Sequence, residues 1–145
     1  MKQKVLAYII QDDRLLVFRH TQFPEAGIQV PGGTVEQGEA LDQAVLREAA
    51  EETGLESLRL VTCLGSQDYD LAEFGLDSGW MRRHFYHLAL GGEAPETWLS
   101  YEWQPSDGSP APIEFEFFWV RLPDEVPELA GDQGAMLKSL SNFPV

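Results

Sequence analysis

The alternation of apolar and polar positions divides the chain into short strand-like runs and one longer helical stretch. Residues 4–10 are apolar and rich in strand-forming types, residues 11–14 (QDDR) are polar, and residues 15–18 are apolar again. Two such runs joined by a short polar turn are typical of a β-hairpin, which we expect over residues 4–19. A short extended stretch and four longer runs predict the other strands, at residues 28–30, 58–64, 82–90, 98–103 and 113–122.

The main helical pattern covers residues 40–53, where helix-forming residues dominate. Leu41, Ala44 and Val45 fall at helical spacing and form an apolar stripe, which predicts a helix packed against a sheet. Gly54 follows directly and predicts the end of the helix, because glycine readily takes the left-handed conformation common at this position.

The remaining segments complete the predicted architecture. Residues 66–80 and 105–112 are polar and contain glycine, so we expect loops there. Residues 132–140 predict a second helix near the C-terminus. Strands on both sides of a central helix, followed by a closing helix, predict one α/β domain over residues 1–145, an α/β/α sandwich on a mixed sheet.

Three glutamates crowd the C-terminal end of the central helix. Glu48, Glu51 and Glu52 lie three residues and one residue apart, so they share one side. Two carboxylates about 6 Å apart repel by roughly 3 kcal/mol at an effective dielectric constant near 20, and the negative end of the helix dipole adds to the cost. Arg47 alone lies in the same turn to offset them. A solvated acidic face is the alternative, but the glutamates border the apolar stripe, so we expect a divalent cation to supply the missing charge.

The composition limits the possible functions. The chain has 145 residues, 43% of them hydrophobic, and a formal net charge of −14. Such a surface repels nucleic-acid backbones and anionic membranes, so we expect neither as a partner. A bound cation can still reverse the potential locally for a small phosphorylated ligand. No apolar run reaches the length of a membrane span, and a single cysteine suits a reducing compartment, so we expect a cytoplasmic protein.

The acidic cluster belongs to a longer pattern of fixed spacing. Gly33 is followed after five residues by Glu39 and, after seven more, by residues 47–55 (REAAEETGL). This pattern resembles the Nudix box of the Nudix hydrolase superfamily at all seven fixed residue types; Ala49 is smaller than the family's usual aliphatic residue. A chance match is on the order of 10⁻⁸ per window at average residue usage. The resemblance implies a Nudix-type fold and a pyrophosphohydrolase that cleaves a nucleoside diphosphate linked to another group, with Mg²⁺ or Mn²⁺ as cofactor.

The same resemblance implies roles for the acidic residues. Glu51 and Glu52 match the principal metal ligands, and Glu48 matches a further ligand or the general base. The backbone carbonyl of Gly32 is implied as another ligand, because no side chain obstructs its approach. Oxygen ligands of this kind are those that hard divalent cations prefer.

Four further residues of the box are implied to support these ligands. Arg47 is expected to orient Glu48 through an ion pair and to share in catalysis, and Glu39 is expected to balance the charge of Arg47. Gly33 and Gly54 supply the turns before and after the helix, where other residues would obstruct the backbone.

Residues outside the box are expected to bind the substrate. Arg19 leaves the second strand near the glycine turn, and Arg83, beside Arg82, belongs to a basic cluster in an acidic protein. Arg19 and Arg83 are therefore candidates for phosphate binding, with surface ion pairs as the alternative. Trp80 is a candidate for stacking on a base, although an aromatic residue is more often part of the core; the same applies to Tyr69 and Phe23.

Three glutamates after the box are candidates for an additional metal ligand or base, because relatives of the family often place one on a later strand or loop. They are Glu102, Glu114 and Glu116. The alternation of residues 113–117 puts Glu114 and Glu116 on one face of a strand, where a half-exposed strand surface is the alternative.

Two other functions stay open, both on the same fold. One is a nucleotide-sensing module without turnover, although the chain retains every acid of the box. The other is an isoprenoid-diphosphate isomerase, which would call for a catalytic cysteine that Cys63 supports poorly. A monomer or a homodimer is expected, with the aromatic-rich residues 98–122 as a candidate contact.

Overall fold

The computed structural model describes residues 2–74, 79–103 and 110–140. Within those ranges the chain forms one α-helix and seven strands, which are β1 Lys2–Gln11, β2 Arg14–His20, β3 Gly32–Thr34, α1 Leu41–Thr53, β4 Leu58–Asp70, β5 Trp80–Leu90, β6 Thr97–Glu102 and β7 Ile113–Arg121. Short 3₁₀ turns lie at Pro24–Ala26, Leu71–Phe74, Ala130–Asp132 and Leu137–Ser139.

The strands form one mixed sheet in the order β4-β5-β1-β2-β7-β6, with β3 paired to β1. The pair β1–β5 is parallel, whereas β1–β2, β2–β7, β6–β7 and β4–β5 are antiparallel. The α/β fold with a mixed sheet is therefore confirmed. No helix in the described ranges is long and apolar enough to cross a membrane.

The hairpin of β1 and β2 opens away from its turn, and this opening determines where the glycine turn lies. The two strands pair at Ile10–Leu15 beside the turn. Farther along, Gln29 pairs with Phe18 of β2, and β3 pairs with the first half of β1. The chain over residues 28–34 thus lies between the diverging strands, and Gly32 and Gly33 are held inside the sheet.

Helix α1 covers one face of the sheet, and its bounds agree with the prediction. Ala44 and Val45 of the predicted apolar stripe are fully buried against the sheet, as is Ala49, and Leu41 is partly buried against the same core. Gly54 has φ 78° and its N–H donates to the carbonyl of Ala50 at 2.8 Å, which ends the helix as expected. On the sheet, the core beneath α1 includes Val5, Ala7, Ile9, Leu16, Phe18, Tyr86, Leu88, Ile113, Phe115 and Phe117.

The C-terminal segment covers the opposite face, but the predicted helix over residues 132–140 is wrong. This segment forms two 3₁₀ turns instead. Gly131 and Asp132 have positive φ angles of 57° and 58°, a conformation that a right-handed helix does not contain. The segment is held by specific contacts. The Tyr8 hydroxyl donates to the Gln133 carbonyl at 2.6 Å, and Leu129 belongs to the apolar cluster on this face, which includes Leu6, Val17 and Phe85.

Strand β4 is longer than predicted, because residues 66–70 continue it. Their polar side chains are accommodated by pairing with β5, where Asp68 lies opposite Arg82 and the two form an ion pair at 2.8 Å. The loop expected over residues 105–112 lies largely outside the described residues.

Candidate metal and diphosphate site

The last two turns of α1 lie against the glycine turn. A Cβ added at Gly33 would lie 2.7 Å from Cγ of Glu48 and would overlap the Glu48 carboxylate. A Cβ at Gly32 would lie 2.6 Å from Cδ2 of Leu6 and would overlap the Val5 carbonyl oxygen. Glycine is therefore required at both positions, at Gly33 to admit the Glu48 side chain and at Gly32 to admit the neighbouring strand.

Arg47 joins the acidic residues of the box. Its Nε and Nη2 donate to the two carboxylate oxygens of Glu39, at 2.7 and 2.9 Å. Its Nη1 donates to Glu48 at 2.9 Å and to Glu51 at 3.3 Å. The hydrogen bonds from Arg47 lower the pKa of Glu39 from 4.5 to about 2. Both expected ion pairs, to Glu48 and to Glu39, are thus present, and the geometry gives Arg47 a positioning role.

Glu52 carries an unusual carboxylate. Its Oε1 is inaccessible to solvent and has no hydrogen-bond partner among the described residues. Burial raises the pKa of Glu52 well above its ordinary value, the negative charges of Glu102 and Glu48 raise it further, and a hydrogen bond from the Gly32 backbone offsets part of the effect. An unpaired carboxylate oxygen is costly in such surroundings, so this group lacks a partner that a cation would provide.

Glu48 and Glu51 complete the acidic side of α1. Burial also raises the pKa of Glu48, despite the hydrogen bond from Arg47. The Glu51 side chain is 62% exposed. The helix therefore presents one buried, one partly buried and one exposed carboxylate.

Of the three later glutamates, Glu102 is the one that the structure brings to the box. It pairs with Ile113 in the β6–β7 register, and paired residues of neighbouring strands share a face. Ile113 belongs to the core beneath α1, so Glu102 lies on the α1 side, where its charge acts on Glu52.

Sequence reasoning missed Lys4, whose charge interacts with those of the acidic residues. Burial and the neighbouring Lys2 lower its pKa, whereas the charges of Glu48, Glu52 and Glu102 favour its protonated form. Its only signal in the sequence is a lysine at the start of an apolar strand, and this position does not indicate which acidic residues lie near it.

Glu114 and Glu116 lie on the other face of the sheet. Glu114 accepts hydrogen bonds from Thr21 at 2.6 Å and from Tyr101 at 2.8 Å. Glu116 forms an ion pair with Arg19 at 3.1 Å, and the Arg19 guanidinium lies over the Phe118 ring. The intervening residues of β7 face the core beneath α1, so these glutamates and Arg19 are directed away from the acidic cluster. The structure therefore corrects their assignment to the metal and phosphate sites.

Arg83 is buried beneath the C-terminal segment, with 4% of its surface exposed. It donates to the Gly131 carbonyl at 2.7 Å and to Gln67 at 2.6 Å, and its guanidinium lies 4.1 Å from the centre of the Tyr69 ring. These contacts hold the segment to the sheet. We therefore assign Arg83 a structural role in place of phosphate binding.

The aromatic candidates divide by exposure. Trp80 and Phe23 are 52% and 51% exposed and stay candidates for stacking, whereas Tyr69 is buried. Trp103, at 68%, is more exposed than either and follows Glu102 directly, but no sequence pattern distinguishes it.

The donor set suits a hard divalent cation, since carboxylate oxygens are its preferred ligands, and the unpaired Oε1 of Glu52 fits such a partner. Within residues 2–74, 79–103 and 110–140, no three His, Cys, Asp or Glu side chains are arranged to hold a metal ion as they stand. Two of the expected ligands, Glu48 and Glu51, are instead bound by Arg47.

Comparison with known proteins shows the family of the chain. The family model of the NUDIX domain matches residues 1–140. The chain belongs to the NUDIX family. The expected family resemblance is thus confirmed over nearly the whole chain and not only over the 23 residues of the box.

Two relatives of this NUDIX protein are named as hydrolases. An RNA pyrophosphohydrolase of Caulobacter vibrioides is 31% identical over an alignment 125 residues long, which covers 77% of this chain and 64% of that protein. An NAD-capped RNA hydrolase of Shigella flexneri is 43% identical over 60 residues, which are 40% of this chain and 23% of that protein. The chain therefore spans less than two thirds of the length of these curated relatives.

Solved structures agree with the fold. A MutT NUDIX hydrolase from Burkholderia pseudomallei aligns with a TM-score of 0.66 and 27% sequence identity, covering 97% of this chain and 98% of that one. The two chains thus share their architecture from end to end.

Proposed function

We propose that this NUDIX protein is a pyrophosphohydrolase that depends on Mg²⁺ or Mn²⁺ and cleaves a nucleoside diphosphate linked to another group. The observation that carries the proposal is the buried, unpaired carboxylate oxygen of Glu52, beside Glu48 and within the field of Glu102. Structures rarely keep such a group without a reason, and a functional site is the common reason for a strongly shifted pKa.

Within this proposal the acidic residues have different roles. Glu51 and Glu52 are the principal metal ligands, with the Gly32 carbonyl as a further ligand. Glu48 or Glu102 is a third ligand or the base that accepts a proton from the attacking water. When bound, a divalent cation neutralises the diphosphate and lowers the pKa of a coordinated water.

Arg47 and Lys4 supply the positive charges of the proposed site. Arg47 holds Glu48 in place through a 2.9 Å hydrogen bond. On its other side, the Arg47 guanidinium is neutralised by the Glu39 carboxylate. The bond from Arg47 to Glu51 is the longer one, at 3.3 Å, and Glu51 is the more exposed acid, so Glu51 can leave Arg47 at low cost to bind a cation. Lys4, whose protonated form is favoured by the charges of Glu48, Glu52 and Glu102, is a candidate for attracting the substrate phosphates.

The substrate is proposed at the level of its chemistry. A net charge of −14 disfavours a long polyanion, which supports a small nucleotide. The names of the two relatives point instead to RNA, and in one case to NAD-capped RNA. Both substrate classes contain the same scissile diphosphate, so both belong in the test.

The test is release of phosphate, pyrophosphate or nucleoside monophosphate from a substrate panel in the presence of Mg²⁺ or Mn²⁺. The panel contains nucleoside triphosphates, nucleotide sugars, NAD and a 5′-triphosphorylated oligonucleotide. Wild type should cleave at least one of them, and Glu52→Gln should reduce that rate by about 10²-fold or more. Glu25→Gln is the matched control, because Glu25 is an exposed acid in a different turn.

The alternatives give different outcomes in the same panel. Equal background turnover by wild type and Glu52→Gln would contradict the proposal. Tight nucleotide binding without product would support a sensing module, and proton exchange into an isoprenoid diphosphate would support an isomerase.

A further inference from the structure

The C-terminal end of α1 is fixed by side chains from a strand that follows it by more than forty residues. The last carbonyls of a helix have no partner within the helix. In this chain the Ser100 hydroxyl donates to the Glu52 carbonyl at 2.7 Å, and the Trp98 indole N–H donates to the Thr53 carbonyl at 2.9 Å. Two of the terminal helix carbonyls are thus satisfied by β6.

The same face of β6 carries Glu102. Side chains two residues apart on a strand point the same way, so Trp98, Ser100 and Glu102 form one row facing α1. The Trp98 ring stacks on Phe117 with ring centres 5.4 Å apart and planes 15° apart, which fixes β6 to the buried core. The first two members of the row bind the backbone of the last helical turn, and the third acts on the Glu52 side chain.

We propose that Ser100 and Trp98 are positioning residues that fix the distance between the carboxylates of Glu52 and Glu102. The inference rests on the proposed function, because the distance matters only if Glu52 binds the cation and Glu102 is a third ligand or the base. Glu52 lies in the last turn of α1, where a helix most readily frays. A hydrogen bond to its own carbonyl restrains the turn directly, so losing the bond changes where the carboxylate stands while the helix itself persists.

The test measures Mn²⁺ affinity by calorimetry or electron paramagnetic resonance without nucleotide, together with kcat and KM for an active member of the substrate panel. Ser100→Ala should weaken Mn²⁺ binding several-fold and lower kcat by about tenfold with little change in KM, because a displaced group acts mainly on the transition state. Ser100→Thr keeps the hydroxyl and should restore most of both values. Thermal unfolding of each variant measures any general loss of structure.

Tryptophan variants provide a second, independent test of the inference, with a matched control. Trp98→Phe keeps a ring for stacking and removes the bond to Thr53. Trp119→Phe removes a comparable bond, from its indole to the Pro95 carbonyl at 3.1 Å, and keeps an aromatic ring beside Trp98. We expect Trp98→Phe to weaken Mn²⁺ binding and Trp119→Phe to leave it unchanged.

Two results would overturn the inference: unchanged Mn²⁺ affinity in Ser100→Ala and Trp98→Phe, or an equal loss in Trp119→Phe. The failure of the proposed function is a different result. If wild type binds Mn²⁺ but cleaves no nucleotide, the hydrolase proposal fails, and the relative Mn²⁺ affinities still decide whether β6 positions Glu52.

Discussion

The Glu48 carboxylate occupies the space that a side chain at Gly33 would need. A single added methyl group would overlap it, and the three nearest atoms all belong to the Glu48 side chain. Gly33 therefore determines the position of a candidate catalytic group. A substitution at Gly33 should accordingly affect catalysis more than the stability of the fold.

Gly33→Ala should displace the Glu48 carboxylate and reduce kcat by about 10²-fold, since small misplacements of a catalytic group have effects of that size. The free energy of unfolding should fall by at most about 2 kcal/mol, because the far end of a flexible side chain can turn away. Enzyme assay and thermal unfolding measure the two quantities. Gly91→Ala is the control, since its Cβ would meet Ser57 at an ordinary 3.7 Å; equal kcat in both variants would contradict the role of Gly33.

Glu52→Gln should stabilise the metal-free protein at neutral pH. Burial raises the pKa of Glu52 in the folded state, so the ionised form opposes folding. This penalty is absent below pH about 4, where the group is protonated in both states, and it grows as the pH rises above the unfolded value. The gain should be about 1–3 kcal/mol at pH 7.

Thermal unfolding in a chelator at pH 7 and at pH 4 measures this gain, which should shrink at the lower pH. Added Mg²⁺ should raise the melting temperature of wild type and not of the variant. Glu51→Gln is the control for the gain in chelator only, because Glu51 is largely exposed and its ionised form carries no comparable burial cost. A Glu52→Gln protein less stable than wild type in chelator would show that the buried carboxylate has a stabilising partner.

The Glu39–Arg47 pair predicts a different pH dependence. Since the folded pKa of Glu39 is lowered to about 2, its ion pair contributes stability above the unfolded pKa of 4.5, and this contribution is lost as the pH falls toward 2. Glu39→Gln should therefore lower the melting temperature at pH 7, and its curve should approach that of wild type below pH about 4. Asp68→Asn, which breaks the exposed pair with Arg82, should have a smaller effect; parallel curves for Glu39→Gln at all pH values would contradict the assignment.

Arg83 and Arg82 are adjacent and should behave differently. Arg83→Met leaves the Gly131 carbonyl and Gln67 without their buried donor and should cost about 1–3 kcal/mol of unfolding free energy. Arg82→Met removes an exposed ion pair and should cost at most about 1 kcal/mol. Chemical denaturation measures both, and KM should be unchanged in each. A raised KM in Arg83→Met with unchanged stability would instead restore its assignment to phosphate binding.

The parts of this molecule that the sequence predicts are those set by local spacing. Helix α1 is predicted because its apolar stripe and Gly54 lie within fifteen residues of each other, and the grouping of Glu48, Glu51 and Glu52 follows from helical geometry alone. The second helix is expected from the residues that follow Gly131, but Gly131 and Asp132 take positive φ angles while the segment binds Tyr8 and Arg83.

The parts that could not be predicted depend on sheet register and on distant packing. Choosing Glu102 over Glu114 requires knowing which face of the β6–β7 pair meets α1. The burial of Arg83 depends on a segment about fifty residues later in the chain. The influence of Glu48, Glu52 and Glu102 on Lys4 likewise depends on how α1 and β6 pack in three dimensions.

The central claim is that Glu52 holds the cation that carries the diphosphate. Its most direct test is the initial rate of cleavage of an active substrate as Mg²⁺ is titrated into metal-free wild type and metal-free Glu52→Gln. We expect no turnover in chelator, a saturable rise in the wild-type rate, and a Glu52→Gln rate lower by about 10²-fold or more at every Mg²⁺ concentration. A wild-type rate that does not depend on Mg²⁺ or Mn²⁺, or a Glu52→Gln curve that coincides with wild type, would contradict the claim.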